Sequence, residues 1–388
     1  MSELRTILEK HVGDGSIPGA VALVGRRDSF DVQVVGSLDT EGTAAMTRDA
    51  IFRIASITKP IVAAAVMMLV EEGRLALEDP VGRWLPEISD PVVVRTPSSP
   101  VHDLVPAARP ITVFDLLTFR AGWGFPSDFT LPAVEPLFAF HPDGREVSLP
   151  PPPDEWMAAL ARVPLLYQPG EAWLYNTCSD LQGVLIARVA GQSLPDFLAE
   201  RLFEPLGMAD TGFSVPPEKR GRLTSYYRND PDGGHDGRGG LTLADGPHGQ
   251  WSTVPAFPSG AGGLVSTLDD WLAFARMLLA EGRAPGGSRL LTADSVHQMT
   301  TDHLTDDQRR IGAMFLQGQG WGFGGSVDIA ATAPWNVPGR FGWVGGTGTA
   351  GYIVPTTGSI SILLTQVALD GPVSPAVLED FCVYAAGA

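Results

Sequence analysis

Lysine is nearly missing from this chain of 388 residues: Lys10, Lys59 and Lys219 are the only three among 27 basic side chains, and arginine supplies the rest. Arginine keeps its proton at any working pH, whereas a buried lysine can lose it, so a lysine set in apolar surroundings is a candidate for chemistry. Basic charge is scarce overall, with 27 Lys+Arg against 44 Asp+Glu and a net charge of −17. That balance excludes a phosphate backbone or an anionic lipid surface as the natural partner, so neither nucleic acid nor membrane is expected. The longest apolar run, 61–70, is far short of the roughly 20 residues that span a bilayer. Residues 1–10 show no basic stretch followed by an apolar core and a small-residue cleavage site, which predicts a cytoplasmic protein without a leader. Two cysteines, Cys178 and Cys382, lack the Cys-x-x-Cys spacing of zinc or redox sites and are read as free thiols. No metal is expected.

What the chain does have is a hydrophobic content of 44% and enough length for a large core. The pattern predicts a short amphipathic helix over 2–12, then valine-rich strands at 20–24 and 32–35 joined by a polar turn. A matching pair, 351–354 and 359–367, turns at 355–358 near the other end, and a helix over 375–385 closes the chain. Between them lie helical runs at 60–72, 181–189 and 268–279, a Pro-rich loop at 149–154 before a helix near Glu155, and a second loop at 229–249. His235 and His248 in that loop have no compact ligand spacing. The prediction is an α/β (α+β) fold. Residues 1–58 and 290–388 form a discontinuous α/β domain, and 59–289 a mainly helical domain with long loops, with the active site between them.

The informative segment is Phe52-Arg-Ile-Ala-Ser-Ile-Thr-Lys-Pro-Ile-Val, with Ser56 and Lys59 three residues apart at a helix start marked by Pro60. Residues i and i+3 share a helix face, so the Lys59 amine can reach the Ser56 hydroxyl. Burial among Ile54, Ile61 and Val62 disfavours the ammonium form and makes the amine a proton acceptor, and the helix N-terminus favours negative charge on an attacked carbonyl oxygen. Alone, this spacing is common in helices. It gains meaning from Tyr167-Gln-Pro-Gly-Glu-Ala-Trp-Leu-Tyr-Asn-Thr, centred on Tyr175. Taken with Ile111-Thr-Val-Phe-Asp-Leu-Leu-Thr-Phe-Arg-Ala-Gly, Pro205-Leu-Gly-Met-Ala-Asp-Thr-Gly-Phe and Pro258-Ser-Gly-Ala-Gly-Gly-Leu-Val-Ser-Thr, it resembles the serine β-lactamase and penicillin-binding-protein superfamily. Within it, the class C β-lactamases and family VIII carboxylesterases are most similar.

The resemblance implies a β-lactamase-like fold, an antiparallel sheet flanked by helices plus a helical insertion domain. It makes Ser56 the nucleophile and Lys59 with Tyr175 the proton relay, with no cofactor. Two departures stand out. Thr177 replaces the amide usually found two residues after the tyrosine, leaving Asn176 as the candidate substrate contact. In place of the family's Lys-Thr-Gly stands Arg340-Phe-Gly-Trp-Val-Gly-Gly-Thr-Gly-Thr, similar to the Trp-Gly-Gly variant of the esterases. There Gly345 and Gly346 match the paired glycines, the backbone N–H groups of Ser56 and Thr347 are the expected oxyanion donors, and Trp343 is either core packing or a wall of the acyl pocket. Neither a Gly-x-Ser-x-Gly elbow nor a phosphate loop is found. The expectation is a serine hydrolase of short-chain carboxylic esters acting through an acyl-serine intermediate on a small-molecule ester or amide. The alternatives are an acyltransferase, a hydrolase of amides, D-amino-acid peptides or β-lactams, and a catalytically silent ligand-binding protein. No feature of the sequence bears on oligomeric state.

Overall fold

The computed structural model describes all residues except 1, 28, 139, 141–149, 231–239 and 372–373. Seven antiparallel strands form the main sheet: β1 (Gly19–Arg26), β2 (Ser29–Gly36), β3 (Gly320–Trp321), β4 (Ser326–Val327), β5 (Phe341–Gly345), β6 (Thr349–Val354) and β7 (Ser359–Leu364), in the order β2-β1-β7-β6-β5-β4-β3. The two expected hairpins are present, and β1 pairs with β7 in the register Val21↔Leu364, stitching the two ends of the chain together. The fold is thus β-lactamase-like, an antiparallel sheet flanked by helices.

Both faces of the inner strands are covered, which is why β1, β6 and β7 read as nearly continuous apolar runs, whereas the edge strand β2 is only partly buried and keeps Asp31 and Gln33 among its valines. Ala20, Ala22, Val24, Tyr352 and Leu363 point toward helices α1 (Glu3–Gly13) and α5 (Ala376–Gly387), where Leu4, Leu8, Leu378 and Phe381 are buried. Val21, Leu23, Ile360, Ile362 and Leu364 face the larger core. The alternation follows the two-residue period of a strand. Helix α4 (Leu268–Leu279) lies on that second face, and Gly351 leaves room for it: a Cβ there would stand 2.4 Å from the Trp271 ring.

Helix α2 (Lys59–Glu71) runs through the middle of the molecule, buried from Lys59 to Leu69, and packs against α3 (Thr177–Ala190). A helix apolar all round is a core helix. Helix α4 comes from within 59–289 yet covers the sheet, and a single hydrophobic core joins strand, α2 and α4 residues.

Helix α3 starts at Thr177 rather than at 181. Its polar first turn, Thr177, Ser179 and Asp180, is buried, and apolar periodicity gave no sign of it. The expected loop at 229–249 is corrected in part: Tyr226–Asn229 and Leu241–Asp245 pair as antiparallel strands, their β pattern hidden among Gly, Asp and His. His235 and Leu149 lie outside the described residues, and the helix expected near Glu155 spans Pro153–Leu160. Among the described residues no helix is long and apolar enough to cross a membrane.

Candidate active site

Ser56 sits in a tight turn, Ala55–Thr58, that leads directly into α2. Ala55 before it has φ +43°, a left-handed backbone that costs a non-glycine residue energy and persists only because the surroundings impose it. Lys59, with no exposed surface, extends its amine to Ser56 Oγ at 2.8 Å and to the Ala261 carbonyl oxygen at 2.6 Å. Burial pushes the Lys59 pKa below its ordinary 10.5, and the nearby Tyr175 and Asp180 only partly oppose it. Desolvation of the charge outweighs its partners, so the neutral amine needed as a base becomes accessible.

Tyr175 reaches the same oxygen from the opposite wall. Its backbone exchanges hydrogen bonds with Phe125 at 2.9 and 3.0 Å, which fixes the segment just before α3. The Tyr175 hydroxyl donates to Ser56 Oγ at 3.0 Å and accepts from Trp343 Nε1 at 2.8 Å, while the Lys59 amine lies 4.8 Å from the phenol ring centre. Ser56, Lys59 and Tyr175 are therefore brought together. Asn176, at φ +85°, turns into the cleft, whereas Thr177 is buried behind it. Trp343 is core packing and cleft wall at once: it is 4% exposed, packs edge-on against Trp321, and borders the cleft.

The end of β5 is pressed against the Ser56 turn. Thr349 Oγ1 donates to the Ile54 carbonyl at 2.9 Å, and Thr347 Oγ1 donates to the Arg53 carbonyl. A Cβ on Gly345 would meet Ile54 O at 2.5 Å and Thr349 Oγ1 at 2.1 Å, so only glycine lets the strand approach this closely. Gly346 borders the cleft with Ser56; Thr347, one residue on, is buried. Among the described residues the N–H groups of Ser56, Gly346 and Thr347 have no backbone acceptor. Unsatisfied N–H groups beside a nucleophile are suited to an oxyanion.

Lys59 is held in place through a residue that the sequence reading missed. Asp180, on the buried first turn of α3, accepts from Ser259 Oγ at 2.7 Å and from Ala261 N at 3.1 Å, fixing the carbonyl that Lys59 binds. An aspartate five residues after the tyrosine is the one sequence signal that could have pointed to it.

A cleft of about 370 Å³ opens at Ser56, walled by Phe125, Phe129, Phe138, Phe315 and Trp343. Phe315 stacks on Tyr175 at 4.7 Å between ring centres. The one charged side chain among its described lining residues is Glu379. Arg340, from the variant third motif, is not in the lining: it is 3% exposed, with Nε 3.0 Å from Asp328 and its guanidinium over the Tyr352 ring. Both cysteines are free and buried, and burial pushes Cys178 up to about 12 and Cys382 to about 11, which disfavours the thiolate in both.

Comparison with known proteins bears on the family and the fold. The β-lactamase family profile matches residues 4–376. Protein Rv1367c of Mycobacterium tuberculosis is 38% identical over 363 residues, covering 91% of this chain and 86% of its own. Esterase EstB of Burkholderia gladioli is 30% identical over 401 residues, 96% of this chain and 92% of its own. Among solved structures, EstCE1, described as a hydrolase with promiscuous acyltransferase activity, superposes with a TM-score of 0.80 at 24% identity, covering 99% of this chain and 97% of that one.

Proposed function

Since the chain belongs to the β-lactamase family, we propose that it is a serine hydrolase that cleaves carboxylic esters through an acyl-serine intermediate. The observation that carries this reading is the convergence of the Lys59 amine and the Tyr175 hydroxyl on Ser56 Oγ, at 2.8 and 3.0 Å, at the mouth of an apolar cleft. Ser56 Oγ attacks the ester carbonyl carbon and its proton passes to the neutral Lys59 amine. The oxyanion is held by the N–H of Ser56 and of Gly346. This moves the second donor one residue from Thr347, because Gly346 borders the cleft while Thr347 anchors the turn from behind. As the tetrahedral intermediate collapses, Tyr175 gives its proton to the leaving alkoxide and recovers one from the Lys59 ammonium. Water then adds to the acyl carbon, losing its proton to the same pair, and Ser56 leaves with a proton returned to Oγ.

Esters are favoured over β-lactams by the charge of the cleft. A penicillin carboxylate needs a cation, and the described lining offers Glu379 instead, with Arg340 paired with Asp328 away from the cleft. That the relative EstB is an esterase supports the same choice. The test compares kcat/KM for p-nitrophenyl acetate or butyrate with that for nitrocefin, alongside mass detection of a fluorophosphonate adduct. A higher ester value and an adduct on Ser56, both lost in Ser56→Ala, are expected. A ratio favouring nitrocefin restores the β-lactamase reading, and no adduct with no turnover leaves a ligand-binding protein.

A further inference from the structure

Among the described residues, one of the ion pairs sealed from solvent stands three residues before the nucleophile. Arg53 is 2% exposed and Asp245 7%. Arg53 Nε and Nη2 both donate to Asp245 Oδ2, the first at 3.1 Å, while Nη1 donates to the Thr224 carbonyl at 2.6 Å and Nη2 also to the Gly246 carbonyl at 3.0 Å. The guanidinium lies over the Trp251 ring, 5.1 Å from its centre, and Trp251 Nε1 donates to the Gly263 carbonyl at 2.9 Å. Asp245 is held in turn by the Gln250 N–H at 3.0 Å. A Cβ on Gly249 would stand 1.6 Å from Asp245 Oδ1, so the turn at 246–250 closes on the carboxylate only with glycine there. A buried pair of this kind adds little net stability over apolar residues of the same volume, because both charges give up water; the planar fork of an arginine fixes geometry instead.

We infer that Arg53 is a positioning residue for the nucleophile: through Asp245, Thr224 and Gly246 it holds the chain in the left-handed turn that aims Ser56 Oγ at Lys59 and Tyr175. The inference rests on the proposed acylation of Ser56 and on the strain at Ala55. With φ +43°, Ala55 has a conformation that an L-residue leaves when free to do so. The backbone just ahead of it is clamped: Arg53 pairs with Val265, the Ile54 N–H donates to the Leu264 carbonyl at 3.0 Å, and Thr347 and Thr349 donate to the Arg53 and Ile54 carbonyls. The Arg53 side chain adds the tie to 245–246, and by way of Trp251 and Gly263 it meets the segment carrying Ala261, whose carbonyl receives the Lys59 amine. Freed of that tie, Ala55 relaxes toward negative φ and carries Ser56 Oγ away from its contacts at 2.8 and 3.0 Å. Lysine at position 53 would keep the charge, but without the fork it cannot hold Asp245, Thr224 and Gly246 at once.

The experiment measures kcat and KM for p-nitrophenyl butyrate, and the rate of fluorophosphonate labelling of Ser56, below the thermal melt of each protein, in wild type, Arg53→Lys, Ala55→Gly and the two combined. Arg53→Lys should lower kcat and the labelling rate about tenfold or more with KM within about twofold, since a misplacement of about 1 Å can cost a hundredfold. Adding Ala55→Gly, which removes the strain, should recover kcat about threefold or more, whereas the same change in wild type should give no increase. That crossed response separates positioning from stability: a side chain that only holds the fold together moves the melting temperature, and glycine at 55 then restores no rate. Where Arg53→Lys melts below the assay temperature, Asp245→Asn, which leaves Arg53 its two carbonyl partners, is read in the same way. Unchanged kcat, a raised KM with kcat intact, or a lost rate that Ala55→Gly does not recover each overturns the inference. Absence of turnover and of a Ser56 adduct in wild type refutes the serine-hydrolase reading itself, whereas wild-type turnover with Arg53→Lys unimpaired refutes only the role of Arg53.

Discussion

Replacing Trp343 by phenylalanine isolates one hydrogen bond in the proposed relay. The indole N–H lies 2.8 Å from the Tyr175 oxygen, and phenylalanine keeps an aromatic ring against Trp321 and in the cleft wall while removing that donor. Were Tyr175 neutral throughout, the loss would be that of an ordinary hydrogen bond, about 1 kcal/mol, or roughly fivefold. As Tyr175 hands its proton to the leaving group, its oxygen becomes partly anionic, and a hydrogen bond to a charged group is worth about 1.5–3 kcal/mol. The expected loss is therefore about 10- to 150-fold, and it falls on kcat and kcat/KM alike because the interaction strengthens only in the transition state. Steady-state kinetics on p-nitrophenyl butyrate, with a thermal melt to confirm the fold, measure it. A change below twofold would refute the argument and leave Trp343 as a wall. A raised KM with kcat intact would show that the indole acts on binding instead.

Four further outcomes follow from the geometry. Lys59→Arg should abolish turnover, since guanidinium keeps the charge but cannot accept the proton, and the wild-type kcat/KM should rise with pH through a Lys59 pKa held below 10.5 by burial; an active arginine variant contradicts this. Between that lowered value and 10.5 the unfolded chain binds more protons than the folded one, so Lys59 contributes stability that grows with pH across this window and is lost as pH falls. Urea unfolding at pH 7 and 9.5 should show a smaller gain in Lys59→Met than in wild type. Gly345→Ala should destabilise by about 1–3 kcal/mol and cut activity, because its Cβ would collide with the Ile54 carbonyl and push β5 off the Ser56 turn; a crystal structure showing β5 unmoved would refute it. Asp180→Ala should lower kcat at least tenfold by freeing the Ala261 carbonyl that orients Lys59, with Asp180→Asn retaining part of the rate; equal loss in both would point to the charge rather than to the acceptor oxygen.

The local sequence by itself determined the hairpins of the sheet, the apolar helix that begins at Lys59 and the pairing of Ser56 with Lys59 on one face, because each is written in short-range terms, whereas Tyr175 was found only through the resemblance. Strand alternation, Pro60 at a helix start and a serine three residues before a lysine are all set by neighbours along the chain. Other features depend on groups distant in sequence. That Trp343 donates to Tyr175, 168 residues earlier, follows from β5 packing against the Ser56 turn, which Tyr175 also reaches. The Asp180 hold on Ala261 depends likewise on two segments 81 residues apart. Fully buried polar residues such as Thr177 and Ser179 broke the apolar period and hid the first turn of α3. The glycine pair at 345–346 was legible as a motif, but which N–H borders the cleft was not, since a one-residue slip along a strand reverses which way each group points. Only the packing of β5 against the Ser56 turn decided that register, and only the docking of α5 beyond it extended the cleft, because both are set by shape and burial between elements rather than by any residue's own preference.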